Sequence, residues 1–236
     1  MALFSQSIHY SLFQQCTIMK LLELDNVELY FGKKEILKGV YFKAEKGKIT
    51  GILGSNGCGK TSLLKILFGH LKPRNKLIRI DHKPVLKPLY SKGIIHYLPQ
   101  FHYIPNHISL RRIFSMDQID SEPFFELFPS FRGRINNRFG SFSGGEKRLI
   151  EIYTSIHSKA EIVLLDEPFS HLAPVYTEAL EAEITKVKTD KCIIVTDHLY
   201  QKILDISDEL YLIKEGYTKK IDSKGDLVHH NYIRSL

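Results

Sequence analysis

Three stretches of this chain carry residue types suited to phosphate chemistry, and the first is Gly54-Ser55-Asn56-Gly57-Cys58-Gly59-Lys60-Thr61. It fits G-x-x-x-x-G-K-[ST] at every fixed position. Glycines there let successive backbone N–H groups curl closely around phosphate oxygens, and a helix start adds a favourable dipole. Lys60 is suited to neutralising β and γ phosphates, and the Thr61 hydroxyl to ligating Mg²⁺, with a second hydroxyl next to it on Ser62. The second stretch is Phe142-Ser143-Gly144-Gly145-Glu146. Ser143 and Glu146 form an S-x-x-E capping box, and the bare N–H groups at Gly144 and Gly145 read either as a second phosphate-binding surface or as an ordinary capped helix. The third is Asp166-Glu167-Pro168, closing the apolar run Ile162-Val163-Leu164-Leu165. Asp166 suits Mg²⁺ held through water, and Glu167 suits a general base that polarises an attacking water. Neighbouring residues on a strand point opposite ways, so the turn at Pro168 must redirect Glu167. Gln100, whose amide can ligate a metal or orient a water, and His198, which reads as a γ-phosphate contact or a surface histidine, complete the set.

Hydrophobic patterning supplies the elements that must position these groups. Residues 48–53 predict a short buried strand, and Leu63, Leu64, Ile66, Leu67 and Leu71 predict a helix from Thr61 to about Leu71, which is the strand, loop, helix context the phosphate-loop pattern requires. Ahead of it, residues 24–45 alternate around Gly32-Lys33-Lys34 as antiparallel β structure. Phe31 or Tyr30 there offers a flat ring for an adenine base, or else a hairpin core aromatic. Residues 77–80 and 94–98 predict strands, with Gln100 directly after the second. The segment 101–142 holds eight of the chain's 14 Phe and is broken by Pro105, Pro123 and Pro129, predicting a lobe of short helices. Its aromatics are expected to be core, or to leave an apolar groove in which Phe124, Phe125 and Phe128 receive a partner. A helix follows Ser143, strands are expected at 162–166 and 192–196 with a helix opening at Pro174 between them, and residues 209–221 read as a closing hairpin.

Composition bounds the reading without choosing a ligand. The 236 residues suffice for one substantial domain with a smaller inserted lobe, and 43% hydrophobic with 25% charged residues is ordinary globular composition. A net charge of +7 permits nucleotide, acidic lipid or nucleic acid. Cys16, Cys58 and Cys192 have no ligand-like spacing, so disulfides and a zinc site are not expected. No apolar run approaches the roughly 20 residues needed to cross a bilayer. Residues 1–18 lack the basic start of a signal peptide, and Met19 directly precedes regular patterning. That segment is expected to be an extension, with Met19 as the natural start, or else a loosely docked or membrane-surface helix.

Phosphate loop, Gln100, Ser-Gly-Gly-Glu, apolar-Asp-Glu-Pro and His198, in that order, resemble the ATP-binding cassette (ABC) ATPase family from Leu21 to the C-terminal region. The resemblance implies an α/β fold: a P-loop NTPase (RecA-like) core at 19–100 and 157–236 with an antiparallel β subdomain, and an inserted helical subdomain at 101–156, in one domain spanning 19–236. It implies ATP and Mg²⁺, a head-to-tail homodimer or paired cassette, and transmembrane permease subunits on the inner face of the cell membrane, which the otherwise cytoplasmic chain meets only through that partner. Nucleic acid or a ribosome is the alternative partner, with Arg132, Arg134 and Arg138 available for it. On the family's pattern Phe31 or Tyr30 stacks on adenine, and Gly54 to Ser62 bind phosphates. Thr61, Gln100 and Asp166 hold the metal, and Ser143, Gly144 and Gly145 contact the γ-phosphate across the dimer. Glu167, His198 and Lys60 serve catalysis. The chain departs from the pattern at Phe142 and Glu146, where Leu and Gln are commoner, at Thr61-Ser62, which reverses the usual order, and at Ala173 in Ser170-His171-Leu172-Ala173, where an Asp usually reaches across the interface.

Overall fold

The computed structural model describes residues 19–170, 172–229 and 232, with Lys224 described by its backbone alone; the expected extension at 1–18 and His171 lie outside the described residues. Strands β1 (Leu21–Phe31) and β2 (Lys34–Glu45) form an antiparallel hairpin that turns at Gly32, whose φ is +60°. Leu22, Leu24, Val27 and Leu29 of β1 are buried, as their alternation with polar residues predicts. Strand β3 (Ile49–Gly54) is buried along its whole length and feeds the phosphate loop into α1 (Lys60–Phe68). Gly59 precedes α1 at φ +110°, a conformation that favours glycine, and a Cβ there would also crowd the Leu37 side chain at 2.8 Å. The helix stops short of Leu71 because Gly69 takes the left-handed conformation and returns its N–H to the Lys65 carbonyl at 3.0 Å.

The chain continues through β4 (Asn75–Ile80), β5 (Lys83–Pro84), β6 (Ile95–Leu98), α2 (Leu110–Met116), α3 (Glu122–Leu127) and α4 (Gly144–His157). Then come β7 (Ile162–Asp166), α5 (Pro174–Val187), β8 (Cys192–Thr196), α6 (Tyr200–Ile206), β9 (Glu209–Lys214), β10 (Tyr217–Ile221) and α7 (Lys224–His229). Strands β4 and β5 extend the hairpin into an antiparallel sheet of order β2-β1-β4-β5. The second sheet has order β10-β9-β3-β8-β7-β6 and is parallel except for the β9–β10 hairpin. Its register sets Ile52 beside Thr196, Thr196 beside Asp166, and Leu165 beside Leu98. The segments that leave β3, β8, β7 and β6 therefore emerge along one edge, where open parallel sheets hold ligands.

With one exception the phenylalanines of the aromatic-rich lobe are packed inside it, and the recess of about 330 Å³ on the lobe is lined instead by residues such as Ile104, Ile108, Ile113 and Met116. Phe114, Phe124, Phe125, Phe128, Phe131, Phe139 and Phe142 are all buried, and Phe101 alone of the eight is exposed. Phe124 meets the rings of Phe114 and Phe131 at 5.1 Å and that of Tyr153 on α4 at 4.9 Å. Helices as short as α2 and α3 bury little surface each, so large rings fill the volume between them. The expectation that Phe124, Phe125 and Phe128 form a docking groove is thereby overturned.

Candidate functional site

Between β3 and α1 the phosphate loop leaves Ser55, Asn56 and Gly57 exposed and folds inward over Lys60. Lys60 is 6% exposed, and its Nζ donates to the carbonyls of Gly54 at 2.7 Å and Ser55 at 3.3 Å. The ammonium is thus fixed inside the curve of the loop, where an anion seated on the N–H groups would meet it. Thr61, one residue on, donates its hydroxyl to Asp166 Oδ1 at 3.1 Å. Asp166 is fully buried at the end of β7 and takes two more donors, Thr196 Oγ1 at 3.0 Å on the same oxygen and the Tyr97 hydroxyl at 2.9 Å on the other. Burial, and then the adjacent Asp166 charge, push the Tyr97 phenol well above its usual range, so it remains a donor. Neither Tyr97 nor Thr196 is marked by a sequence motif; their positions at the ends of β6 and β8 are the available signal.

Glu167 is aimed by its own backbone. It adopts φ +49°, a left-handed conformation that costs a non-glycine residue about 1–2 kcal/mol, and donates its N–H to the Thr196 carbonyl at 2.8 Å. That twist, ahead of Pro168, takes the residue out of the strand alternation, and its side chain lies in the cleft that Lys60 and Thr61 also line. Its Oε2 accepts from Gln100 Nε2 at 2.8 Å and lies 3.3 Å from His198 Nδ1. Gln100 therefore presents its nitrogen to Glu167, and its carbonyl oxygen is the end suited to a cation. The loop carrying His198 is anchored by buried Asp197, which accepts from the backbone N–H of Phe169 at 3.0 Å and of Leu199 at 2.9 Å.

Lys60, Thr61, Gln100, Glu167 and His198 line one cleft of about 610 Å³, and Asp166, fully buried, joins it through its bond from Thr61. Asn56, Gly57, Gly59, Lys60, Thr61 and Ser62 form one wall, Gln100, Glu167, Ser170 and His198 face them, and Phe31 with Ile36 closes the far end. Phe31 is 54% exposed, whereas Tyr30 donates its hydroxyl to Glu35 at 2.5 Å and lies under Arg74. Of the two candidate aromatics, Phe31 is the one that faces the cleft.

Ser143, Gly144 and Gly145 are not in that cleft. Ser143 caps α4 by accepting from the Glu146 N–H at 3.3 Å, and Glu146 Oε2 accepts from the Ser143 N–H at 2.8 Å, so both halves of the capping box form. Ser143 and Gly144 are exposed, and Gly144 borders a separate recess of about 320 Å³ with Gln100, Phe101, His102, Arg148 and Ser170. The charge that Glu146 brings in place of the commoner Gln is met by Arg134, which binds it through both guanidinium nitrogens and covers the Phe142 ring at 4.3 Å. That hydrogen bond, more than any other influence, holds the Glu146 carboxyl below the ordinary range.

Among the described residues no helix is long and apolar enough to cross a membrane. A cationic, N–H-lined wall on the edge of a RecA-like sheet, facing a carboxylate and ending in an open ring, puts this chain in the class of phosphate-loop nucleoside triphosphatases. Within that class it belongs to the ABC transporter family, whose model matches residues 37–170. It is 29% identical over 231 residues to the probable branched-chain amino acid transport ATP-binding protein LivF of Archaeoglobus fulgidus, covering 90% of this chain and 97% of the relative. It is 25% identical over 227 residues to the high-affinity branched-chain amino acid transport ATP-binding protein BraG of Pseudomonas aeruginosa, covering 91% and 97%. A solved ATP-binding subunit of an ABC transporter shares the fold at a TM-score of 0.74 and 22% identity, over 92% of this chain and 95% of that one. A bacterial Atm1-family ABC exporter with ATP bound does so at 0.78 and 20% identity, over 90% of this chain and 40% of that one. The chain is an ATP-binding and ATP-hydrolysing transport subunit.

Proposed function

We propose that this subunit hydrolyses MgATP at sites shared between two copies of the chain, or between it and a paired cassette, and passes the resulting motion to separate membrane-spanning permease subunits. In each site the first chain supplies the cleft and the second supplies Ser143, Gly144 and Gly145 to the γ-phosphate. Phe31 stacks on the adenine, the loop N–H groups and Lys60 bind the phosphates, and His198 holds the γ-phosphate. Glu167 accepts a proton from water as the water oxygen bonds to the γ-phosphorus; the bond from that phosphorus to the β,γ-bridging oxygen breaks, and ADP and phosphate result. Thr61, Asp166 and the Gln100 oxygen are hard donors of the kind Mg²⁺ takes beside substrate phosphates, and Thr61 and Asp166 already lie within 3.1 Å of one another. When bound there, the ion supplies charge neutralisation to the leaving diphosphate. The chain would work on the cytoplasmic face, held to the membrane only by its partner.

The observation that carries this reading is the placement of Glu167, turned at φ +49° into the same cleft as Lys60. Of the three arginines ahead of the signature that a ribosomal or nucleic-acid partner would use, Arg132 is paired with Glu122 at 3.1 Å and Arg134 with Glu146, which leaves exposed Arg138 outside these pairs. Glu167→Gln is expected to lower the steady-state rate of phosphate release by about 10²–10⁴-fold, the contribution of a general base, while equilibrium binding of ATP stays within a few-fold. A variant that turned over within tenfold of wild type would remove Glu167 from this role.

A further inference from the structure

Helix α4 carries two buried charges on its second turn that the scheme above does not use. Arg148 is 3% exposed and Glu151 is fully buried, with 3.9 Å between the guanidinium and the carboxylate. A buried ion pair is retained at a cost unless its remaining hydrogen bonds are filled, and here they are filled from elsewhere in the site. Arg148 Nη1 donates to the Pro99 carbonyl at 2.6 Å, Nη2 to the carbonyls of Asp166 at 2.7 Å and Glu167 at 2.9 Å, and Nε approaches the Pro168 carbonyl at 3.4 Å. Those carbonyls lie at or just beyond the ends of β6 and β7, where the sheet ladder runs out of partners. Glu151 accepts from the N–H of Tyr103 at 2.9 Å and of Ile104 at 3.4 Å, and from His102 Nδ1 at 2.8 Å.

We infer that Arg148 is a positioning residue that fixes the strained backbone of Glu167 to the helix bearing Ser143 and Gly144. Glu167 is gripped on both sides of its left-handed twist, through its N–H by Thr196 and through its carbonyl by Arg148. A backbone conformation that is unfavourable by itself persists only when its surroundings over-determine it. The same helix holds the loop around Gln100 at both ends, Pro99 through Arg148 and Tyr103 with Ile104 through Glu151. Gln100, which donates to Glu167, is thus suspended between two anchors on one rigid element. A shift of the start of α4 when it meets nucleotide would move the aim of Glu167 with it. Four carbonyls spread from Pro99 to Pro168 suit the fixed five-donor fork of a guanidinium, whose reach and geometry the single ammonium of lysine does not reproduce.

This rests on the assignment of Glu167 as the base, so Glu167→Gln is assayed beside Arg148→Lys and Arg148→Ala. For both Arg148 variants, ATP affinity is expected within about threefold of wild type and KM nearly unchanged, while kcat falls roughly 10–100-fold, the scale of an ångström of misplacement. Guanidinium chloride at millimolar concentration should restore several-fold of the lost kcat to Arg148→Ala, and methylammonium should not. Wild-type kcat in Arg148→Lys overturns the inference. So does joint loss of nucleotide binding and turnover without recovery by guanidinium, which marks a residue needed only for folding. If Glu167→Gln is inactive while Arg148→Lys is normal, this inference alone fails; if Glu167→Gln stays active, the reading beneath it fails.

Discussion

Phe31 leaves about half its surface open at the far end of the cleft, while Tyr30 beside it is committed to Glu35 and Arg74. A ring that contributes by stacking is read through its face, and base stacking on an aromatic side chain is worth about 1–3 kcal/mol. Phe31→Ala is accordingly expected to raise the KM for ATP by roughly tenfold with little change in kcat, and Phe31→Tyr to stay near wild type; an unaltered KM in the alanine variant would take the adenine off this residue. From sequence the two rings could not be separated, because hairpin alternation assigns faces without saying which face looks onto a loop 25 residues later. Lys60, Thr61 and Asp166 were legible for the opposite reason: each sits in a contiguous motif whose neighbours define its backbone. Tyr97, Thr196 and Arg148 had no such signal. Their placement comes from strand register and helix docking, such as the pairing of Asp166 with Thr196, which joins residues 30 positions apart.

At the level of elements, the start of α4 was readable as a capping box from four residues, and both of its hydrogen bonds form. What that pattern left out was Arg134, delivered by a two-turn 3-10 helix (Pro129–Arg134) upstream of α4. Its contact makes the helix start pH-sensitive in a definite direction. The folded Glu146 carboxyl ionises below its ordinary value of 4.5, so the pair stabilises the fold fully above that value and loses its contribution as pH falls through the lower, folded value. Glu146→Gln keeps an acceptor for the Ser143 N–H but gives up the charge. Its melting temperature is expected to lie about 1–3 °C below wild type at neutral pH, in line with a partly exposed pair in a chain of this size. The difference should hold down to about pH 5 and close under more acid conditions. A gap that widened on acidification would show that Arg134 is not its source. Where sequence misled at this scale, in the expected groove at Phe124, Phe125 and Phe128, the cause was that aromatic content alone does not report which way short helices face.

At the scale of the whole molecule, the family resemblance implied a RecA-like core with a β flap but not the order of its strands, and the observed order and register explain why four loops reach one edge. That arrangement leaves the capped start of α4 outside the cleft, on an adjoining recess that shares Gln100 and Ser170 with it. Two incomplete surfaces in one chain are completed most simply by a second copy in the opposite sense, an isologous arrangement in which each chain gives and receives the same contact. Ala173, at the N-cap of α5, has no capping side chain and no carboxylate to reach a partner, so on the shared-site proposal nucleotide would supply much of the attraction. Light scattering on Glu167→Gln with MgATP is therefore expected to give twice the mass of the chain, and with ADP the mass of one. Adding Gly144→Arg should keep the doubly substituted protein single even in MgATP. A Cβ at Gly144 would meet nothing within 4 Å, so the fold tolerates the change, and the separate cleft should still bind nucleotide. Lone molecules in both proteins would sink the sharing of the site between two copies of this chain and leave the paired cassette, whereas pairing that survived Gly144→Arg would move the contact away from the start of α4.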